Sequence, residues 1–215
     1  MRRRNMHIGI IGAGHVGSTL ARSFVVAGHD VAVANSRAPE TLHDLETSLG
    51  RHAHAMTARE AADYGDMVVL ATPFGHYHDL PAGGLDGKTI VDVENYLPGR
   101  DGHIAALDEG WTTSSELVQE HLRGGRVVKA FNAMRWDHLR DYGHEAGALE
   151  RYGIPLSGDD AAAKREVADI IEQLGFEPVN AGSLAEGGRK HQPGSDVYAA
   201  DLWAEEMRAR IGVTA

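Results

Sequence analysis

His7-Ile8-Gly9-Ile10-Ile11-Gly12-Ala13-Gly14-His15-Val16-Gly17, residues 7–17, is the stretch whose reading decides the fold. Residues 7–11 are largely apolar and β-branched, which favours a short strand. Glycines 12, 14 and 17 then follow in GxGxxG spacing. Beyond them Val16, Leu20, Phe24 and Ala27 recur nearly every fourth residue, one apolar helical face that stops at Gly28. The spacing alone is weak in a chain with 26 glycines, but between a strand and an amphipathic helix it gains specificity. There the first glycine permits a tight turn, the second lets a diphosphate approach the backbone, and the third lets helix and strand pack closely. The helix N-terminus adds unpaired N–H groups and a positive partial charge. We therefore expect Gly12, Ala13, Gly14, His15 and Val16 to bind a dinucleotide.

The next strand, Val31 to Ala34, carries the choice of cofactor at its tip. An NAD-selecting protein places Asp or Glu there to accept from the ribose 2′-hydroxyl. This chain has Asn35-Ser36-Arg37 instead, two short hydrogen-bonding side chains and a guanidinium whose fork matches a phosphate. NADP(H) is the expected cofactor.

The same alternation continues along the chain. A helix over Pro39 to Leu49 is followed by a short strand at Ala53 to Met56. Thr57, three residues before Glu60, forms a capping-box pattern for a helix reaching Tyr64. Strands are expected at Met67 to Ala71, Thr89 to Asp92, Arg126 to Ala130, Ile154 to Ser157 and Pro178 to Asn180. Helices are expected over Asp159 to Leu174 and Asp196 to Arg210; Tyr96 to Ser115 has no readable element. Strands alternating with helices favour an α/β fold with a doubly wound, mostly parallel Rossmann-like sheet. We expect a single domain over residues 1–215, with residues 182–215 as a small C-terminal helical extension.

Composition narrows the partners. With 21 basic and 31 acidic residues the formal net charge is −10, which disfavours nucleic acid and anionic membranes. No cysteine is present, compatible with a reducing cytoplasm. Met1-Arg2-Arg3-Arg4 is basic, but the following segment fits a first strand better than a targeting signal. Among 13 histidines, His52 with His54 and His76 with His78 are spaced to share a face but lack a third ligand, so no metal is expected.

Taken together, Ile11 to Gly17, Ala34-Asn35-Ser36-Arg37, Ala71-Thr72-Pro73-Phe74, Val128-Lys129-Ala130-Phe131-Asn132, Ser157-Gly158-Asp159-Asp160, Gly175-Phe176 and Ala181-Gly182-Ser183-Leu184 resemble a known family. The chain is similar over most of its length to NADP oxidoreductases typified by deazaflavin (coenzyme F420)-dependent NADP reductase, and to the related STEAP cytoplasmic domains. The resemblance implies that Ala71, Thr72 and Pro73 lie by the nicotinamide ribose, and that Ala130, Phe131 and Asn132 border the nicotinamide and second substrate. Where deazaflavin reductases tend to carry histidine this chain has Asn132, so a flavin, a deazaflavin or a small carbonyl or imine each remain open as hydride acceptor.

Hydride transfer to a flavin needs orientation more than a side-chain acid. Asn132 is the expected catalytic residue; for a carbonyl or imine, His76, Tyr96 and His191 are candidate proton donors. The expected function is that of an NADPH-dependent reductase, with a non-catalytic NADPH sensor as the alternative. Val197, Leu202, Trp203, Met207 and Ile211 give the last helix an apolar face, which either packs on the chain's own core or builds a homodimer.

Overall fold

The apolar runs form strands β1 (His7–Ile11), β2 (Asp30–Ala34), β3 (Ala53–Ala55), β4 (Met67–Leu70), β5 (Thr89–Asp92), β6 (Arg126–Ala130), β7 (Gly153–Gly158) and β8 (Glu177–Gly182). In the computed structural model, which describes residues 5–145 and 148–213, they make one sheet ordered β3-β2-β1-β4-β5-β6-β7-β8. Met1–Arg4, weighed above as a targeting signal, lies outside the described residues. The first six strands pair in parallel, in the Rossmann order. β7 runs antiparallel to β6 and parallel to β8.

The helices are α1 (His15–Ala27), α2 (His43–Leu49), α3 (Ala58–Tyr64), α4 (Pro98–Asp101), α5 (Ala105–Asp108), α6 (Ser114–His121), α7 (Trp136–Asp141), α8 (Ala161–Gln173), α9 (Gly187–His191) and α10 (Ala204–Ile211). The connection from β6 to β7, residues 131–152, carries the six-residue helix α7, and the chain returns beside β6 in the antiparallel direction. The expected capping box at Thr57 and Glu60 is present on α3. A second one, Thr113 with Glu116, opens α6 inside the stretch that had no readable element.

Side chains alternate across the sheet. Ile8, Ile10, Met67, Val69, Val91 and Val128 pack with Leu20 and Phe24 of α1 and Val167 and Ile170 of α8. Val68, Leu70, Ile90 and Val127 face the other way, against Val118 and Leu122 of α6. This two-sided burial is what a parallel sheet with helices on both faces requires.

The last expected helix is shorter than its sequence pattern. Its first half is held in extended and turned backbone, because Ala199 N–H donates to Ala133 O at 2.6 Å and Gly153 N–H to Leu202 O at 2.9 Å. Ala199 and Asp201 have positive φ of 55° and 48°, outside any helix. Val197, Leu202, Met207 and Ile211 are buried with Val179 and Ala181 of β8. Of the apolar residues proposed for a homodimer, only Trp203 stays exposed, at 37%. Of the two alternatives for this face, the structure shows the chain covering it with its own sheet edge.

Candidate functional site

The turn after β1 is built around two glycines. Gly12 has φ of 115° and its N–H donates to Ala34 O at 2.9 Å. A Cβ there would lie 2.3 Å from Ala71 O, and a Cβ at Gly17 would lie 1.9 Å from Gly12 O. At Gly14 a Cβ would meet nothing within 4 Å. Gly12 and Gly17 are thus required by the protein itself, whereas Gly14 faces open space. Gly14 is also the N-cap of α1, with no side-chain cap and no acid in the first turn. The N-terminus of a 13-residue helix is left to an outside anion. Ala13 and Val16 pack against the core, while the exposed His15 ring stacks on Trp136 of α7 at 4.8 Å. The Arg140 guanidinium lies 5.5 Å from the same indole.

At the tip of β2, Asn35 shapes the loop. Its Oδ1 accepts the Arg37 N–H at 2.8 Å and its Nδ2 donates to Thr41 Oγ1 at 2.9 Å. Ser36 and Arg37 are exposed, and the Arg37 guanidinium has no partner among the described residues. An uncapped helix, an open Gly14 and a free guanidinium together fit a dinucleotide bearing a 2′-phosphate.

The crevice continues over the carboxyl ends of β4, β5 and β6. Half-exposed Thr72, two residues past β4, donates its hydroxyl to Oε1 of Glu94, two residues past β5. Ala71 is half-buried beside Gly12 and Pro73 is exposed. Glu94 is only 2% exposed, and its Oε2 is buried without a hydrogen-bond partner. Burial first, and the Asp92 carboxylate second, push the Glu94 carboxyl up to about 8, against lowering by Thr72 and Lys129.

Behind it Asp92 and Lys129, opposite one another in the β5–β6 register, form a buried pair with Nζ to Oδ2 at 3.6 Å. Ser115 Oγ donates to Asp92 Oδ2 at 2.5 Å. Lys129 donates to Glu94 O at 3.0 Å and to Ser114 Oγ at 3.4 Å. The sequence reading missed Asp92, Glu94, Ser114 and Ser115; its available signal was two acids alternating with valine at the end of a strand.

Asn132, two residues past β6, is placed at the crevice floor rather than on its surface. Its Nδ2 donates to His191 O at 2.7 Å and to Asn95 Oδ1 at 3.1 Å. Its Oδ1 accepts from His191 Nδ1 at 2.8 Å, which leaves His191 Nε2 to accept the Ser157 hydroxyl at 2.9 Å. The amide expected to hold a carboxamide or acceptor carbonyl is spent on protein groups. Ala130 and Phe131, expected at the nicotinamide, are both buried in the main core. Phe131 adopts φ of 60°, a sparsely populated conformation for a side-chain-bearing residue. Its role in the structure is to turn the chain sharply so that Asn132 meets His191.

His191 is fully buried, and burial, with the Lys129 charge second, lowers its pKa to about 3. His76 sits at the surface with Asp79, and the Tyr96 hydroxyl is held by Gly102 O and Asp108. None of the three residues first considered as proton donors is thus free in the crevice. His52 pairs with Asp30, and no group of three metal-ligating side chains occurs among the described residues. No helix among them is long and apolar enough to cross a membrane.

The sequence profile of the family described as NADP oxidoreductase coenzyme F420-dependent matches residues 7–96, from β1 through the Glu94 turn. The protein SMa0349 of Sinorhizobium meliloti is 32% identical and superposes with a TM-score of 0.81, over 94% of this chain and 97% of its own. A structure described as an F420-dependent NADP-reductase from Arthrobacter sp. FB24 is 29% identical, with a TM-score of 0.73 over 86% of this chain and 89% of its own. The metalloreductase STEAP3 of Rattus norvegicus is 29% identical over 181 residues, 83% of this chain. The chain spans only about a third of that protein's length, 34%. With the Rossmann order, the phosphate turn and these likenesses in one molecule, the chain is a relative of the NADP oxidoreductases described as coenzyme F420-dependent, whose family pattern its residues 7–96 carry.

Proposed function

We propose that this chain is an NADPH-dependent reductase, passing a hydride to a flavin, a deazaflavin or a small carbonyl or imine. The observation that carries the cofactor choice is the unpartnered Arg37 at the tip of β2, where no acid stands. Gly12, Ala13, Gly14, His15 and Val16 hold the diphosphate against the uncapped N-terminus of α1. Asn35, Ser36 and Arg37 take the 2′-phosphate, and Ala71, Thr72 and Pro73 line the nicotinamide ribose side. When bound, NADPH supplies the hydride. The protein's part would be to position the nicotinamide against an acceptor and keep water from the transfer.

On this reading Asn132 is a positioning residue. Through Asn95 and His191 it fixes the floor on which the nicotinamide end of the crevice rests. The test is NADPH oxidation followed at 340 nm with coenzyme F420, riboflavin, FMN, simple ketones and cyclic imines as acceptors. Turnover with any one class supports the reductase and names its acceptor. Tight NADPH binding without turnover across the panel favours the sensor.

A further inference from the structure

We propose that Thr72 and Glu94 form a proton-donating pair at the nicotinamide end of the crevice, Glu94 serving as reservoir and the Thr72 hydroxyl as the group that meets the acceptor. The proposal rests on the reductase reading above and sharpens it towards acceptors with a C=O or C=N bond.

Two carboxyl groups, Asp92 and Glu94, share one buried ammonium, Lys129. Asp92 is fully served: its Oδ1 takes the Glu94 N–H at 2.9 Å, and its Oδ2 takes Ser115 and faces Lys129. Glu94 has only Thr72, since Lys129 reaches its backbone oxygen and not its carboxyl. A buried carboxylate with one bare oxygen is the costlier ion to keep, so the negative charge settles on Asp92 and Glu94 holds a proton.

The surrounding charges pull in both directions. Asp92 on β5 raises the Glu94 pKa, Lys129 on β6 lowers it, and Arg100 on α4 feels the Glu94 charge from outside. His191 on α9 is kept neutral beside Lys129. Burial and Asp92 prevail, pushing Glu94 up to about 8.

A protonated Glu94 changes what Thr72 can do. The carboxyl donates to Thr72 Oγ1, and the Thr72 hydroxyl proton is then free to turn towards the half-exposed side of the residue. Thr72 and Glu94 stand two residues beyond the carboxyl ends of neighbouring strands, where ligands of open α/β sheets bind.

In the reaction, the acceptor carbon gains the hydride pair that NADPH loses, leaving NADP+. The electron pair of the broken C=O or C=N π bond takes the Thr72 proton, and Thr72 Oγ1 recovers one from Glu94. Glu94 is left as carboxylate and is reprotonated from solvent after product leaves. A flavin or deazaflavin accepts hydride on its ring and holds the resulting charge by delocalisation, so it draws less on the pair.

Two measurements on the full chain test this. In the first, side-chain carboxyl carbons are titrated by NMR in the parent and in Glu94→Gln, each with and without NADP+. One carboxyl that stays protonated through neutral pH and is missing from Glu94→Gln is expected; ionisation of every carboxyl below pH about 6 overturns the proposal.

In the second, NADPH turnover is measured with cyclohexanone, a cyclic imine and FMN. Glu94→Gln and Thr72→Val should each lower ketone or imine turnover by about 100-fold and flatten its pH profile, and Glu94→Gln should leave NADPH affinity within about threefold and FMN reduction little changed. Unchanged ketone and imine turnover, or an equal loss with FMN, overturns the proposal. Absence of turnover with every acceptor removes the reductase reading instead, and the carboxyl titration then decides by itself whether the pair holds a proton.

Discussion

Arg37 stands exposed beyond β2 with no carboxylate beside it, so a bound phosphate gains its full charge without displacing a protein partner. A charge-assisted contact of this kind is worth about 1.5–3 kcal/mol, roughly 10- to 100-fold in affinity. Arg37→Ala should weaken NADPH by that factor and NADH by less than about threefold in fluorescence titrations. Equal affinity of the parent for the two cofactors would falsify the 2′-phosphate assignment. Asn132 is the opposite kind of residue, since all of its partners are protein groups. Asn132→Ala orphans the His191 carbonyl and Nδ1–H and the Asn95 oxygen, each at about 1–3 kcal/mol. A drop of several degrees in Tm is expected. Parent-like melting together with slower turnover would move Asn132 from the floor to the surface of the site.

At the scale of elements, the phosphate turn separates folding from binding within six residues. Gly17→Ala drives a Cβ to within 1.9 Å of Gly12 O and should cost several degrees of Tm, whatever the cofactor. Gly14→Ala meets no protein atom within 4 Å, so it should melt like the parent while losing at least about tenfold in NADPH affinity. A Gly14→Ala protein that binds NADPH normally would show that the diphosphate does not lie there.

The C-terminal segment makes a second, separable case. Because Val197, Leu202, Met207 and Ile211 cover β8, truncation after Ser195 strips apolar cover from the sheet edge. Calorimetry should register a large loss of Tm, with aggregation of the truncated chain in light scattering. A truncated chain as stable as the parent would return this segment to an intermolecular role.

Across the whole molecule, two buried groups bend the stability curve in opposite senses. His191 has a folded pKa lowered to about 3 from 6.5, so between those values the unfolded chain binds more protons and stability rises with pH. Glu94 is raised from 4.5 to about 8, so between those values the folded chain binds more protons and stability falls as pH rises. Each slope is about 1.4 kcal/mol per pH unit at most. The parent should therefore be nearly flat from pH 4.5 to 6.5 and lose stability towards pH 8. Urea melts of Glu94→Gln should uncover the rising His191 slope between pH 4.5 and 6.5. Identical pH profiles for parent and variant would show that Glu94 ionises normally in the fold.

How much was legible follows the range of the interactions involved. The first βα unit, the alternation and the Thr57 capping box are local patterns of spacing and turn chemistry, and the sequence carried them without help. The Thr113 and Glu116 cap was equally local and could have been found by the same rule. The candidate cofactor residues at Gly12 to Val16 and Asn35 to Arg37 belong to that local class, because a turn and a strand tip present them whatever lies elsewhere.

Three things were decided only when distant segments met. The direction of β7 was set by its antiparallel pairing with β6 and its parallel pairing with β8. The C-terminal pattern from Asp196 was partly overridden by hydrogen bonds to Ala133 and Gly153. The polar floor joins Thr72, Glu94, Asp92, Lys129, Asn132 and His191, drawn from four elements or their flanking loops, and no spacing in the chain announces it. Sequence alone determined the dinucleotide-binding frame, because its geometry is set by neighbours along the backbone. Tertiary structure decided which side chains are spent and which remain available, because that depends on where water is excluded and which charges are left to share one lysine.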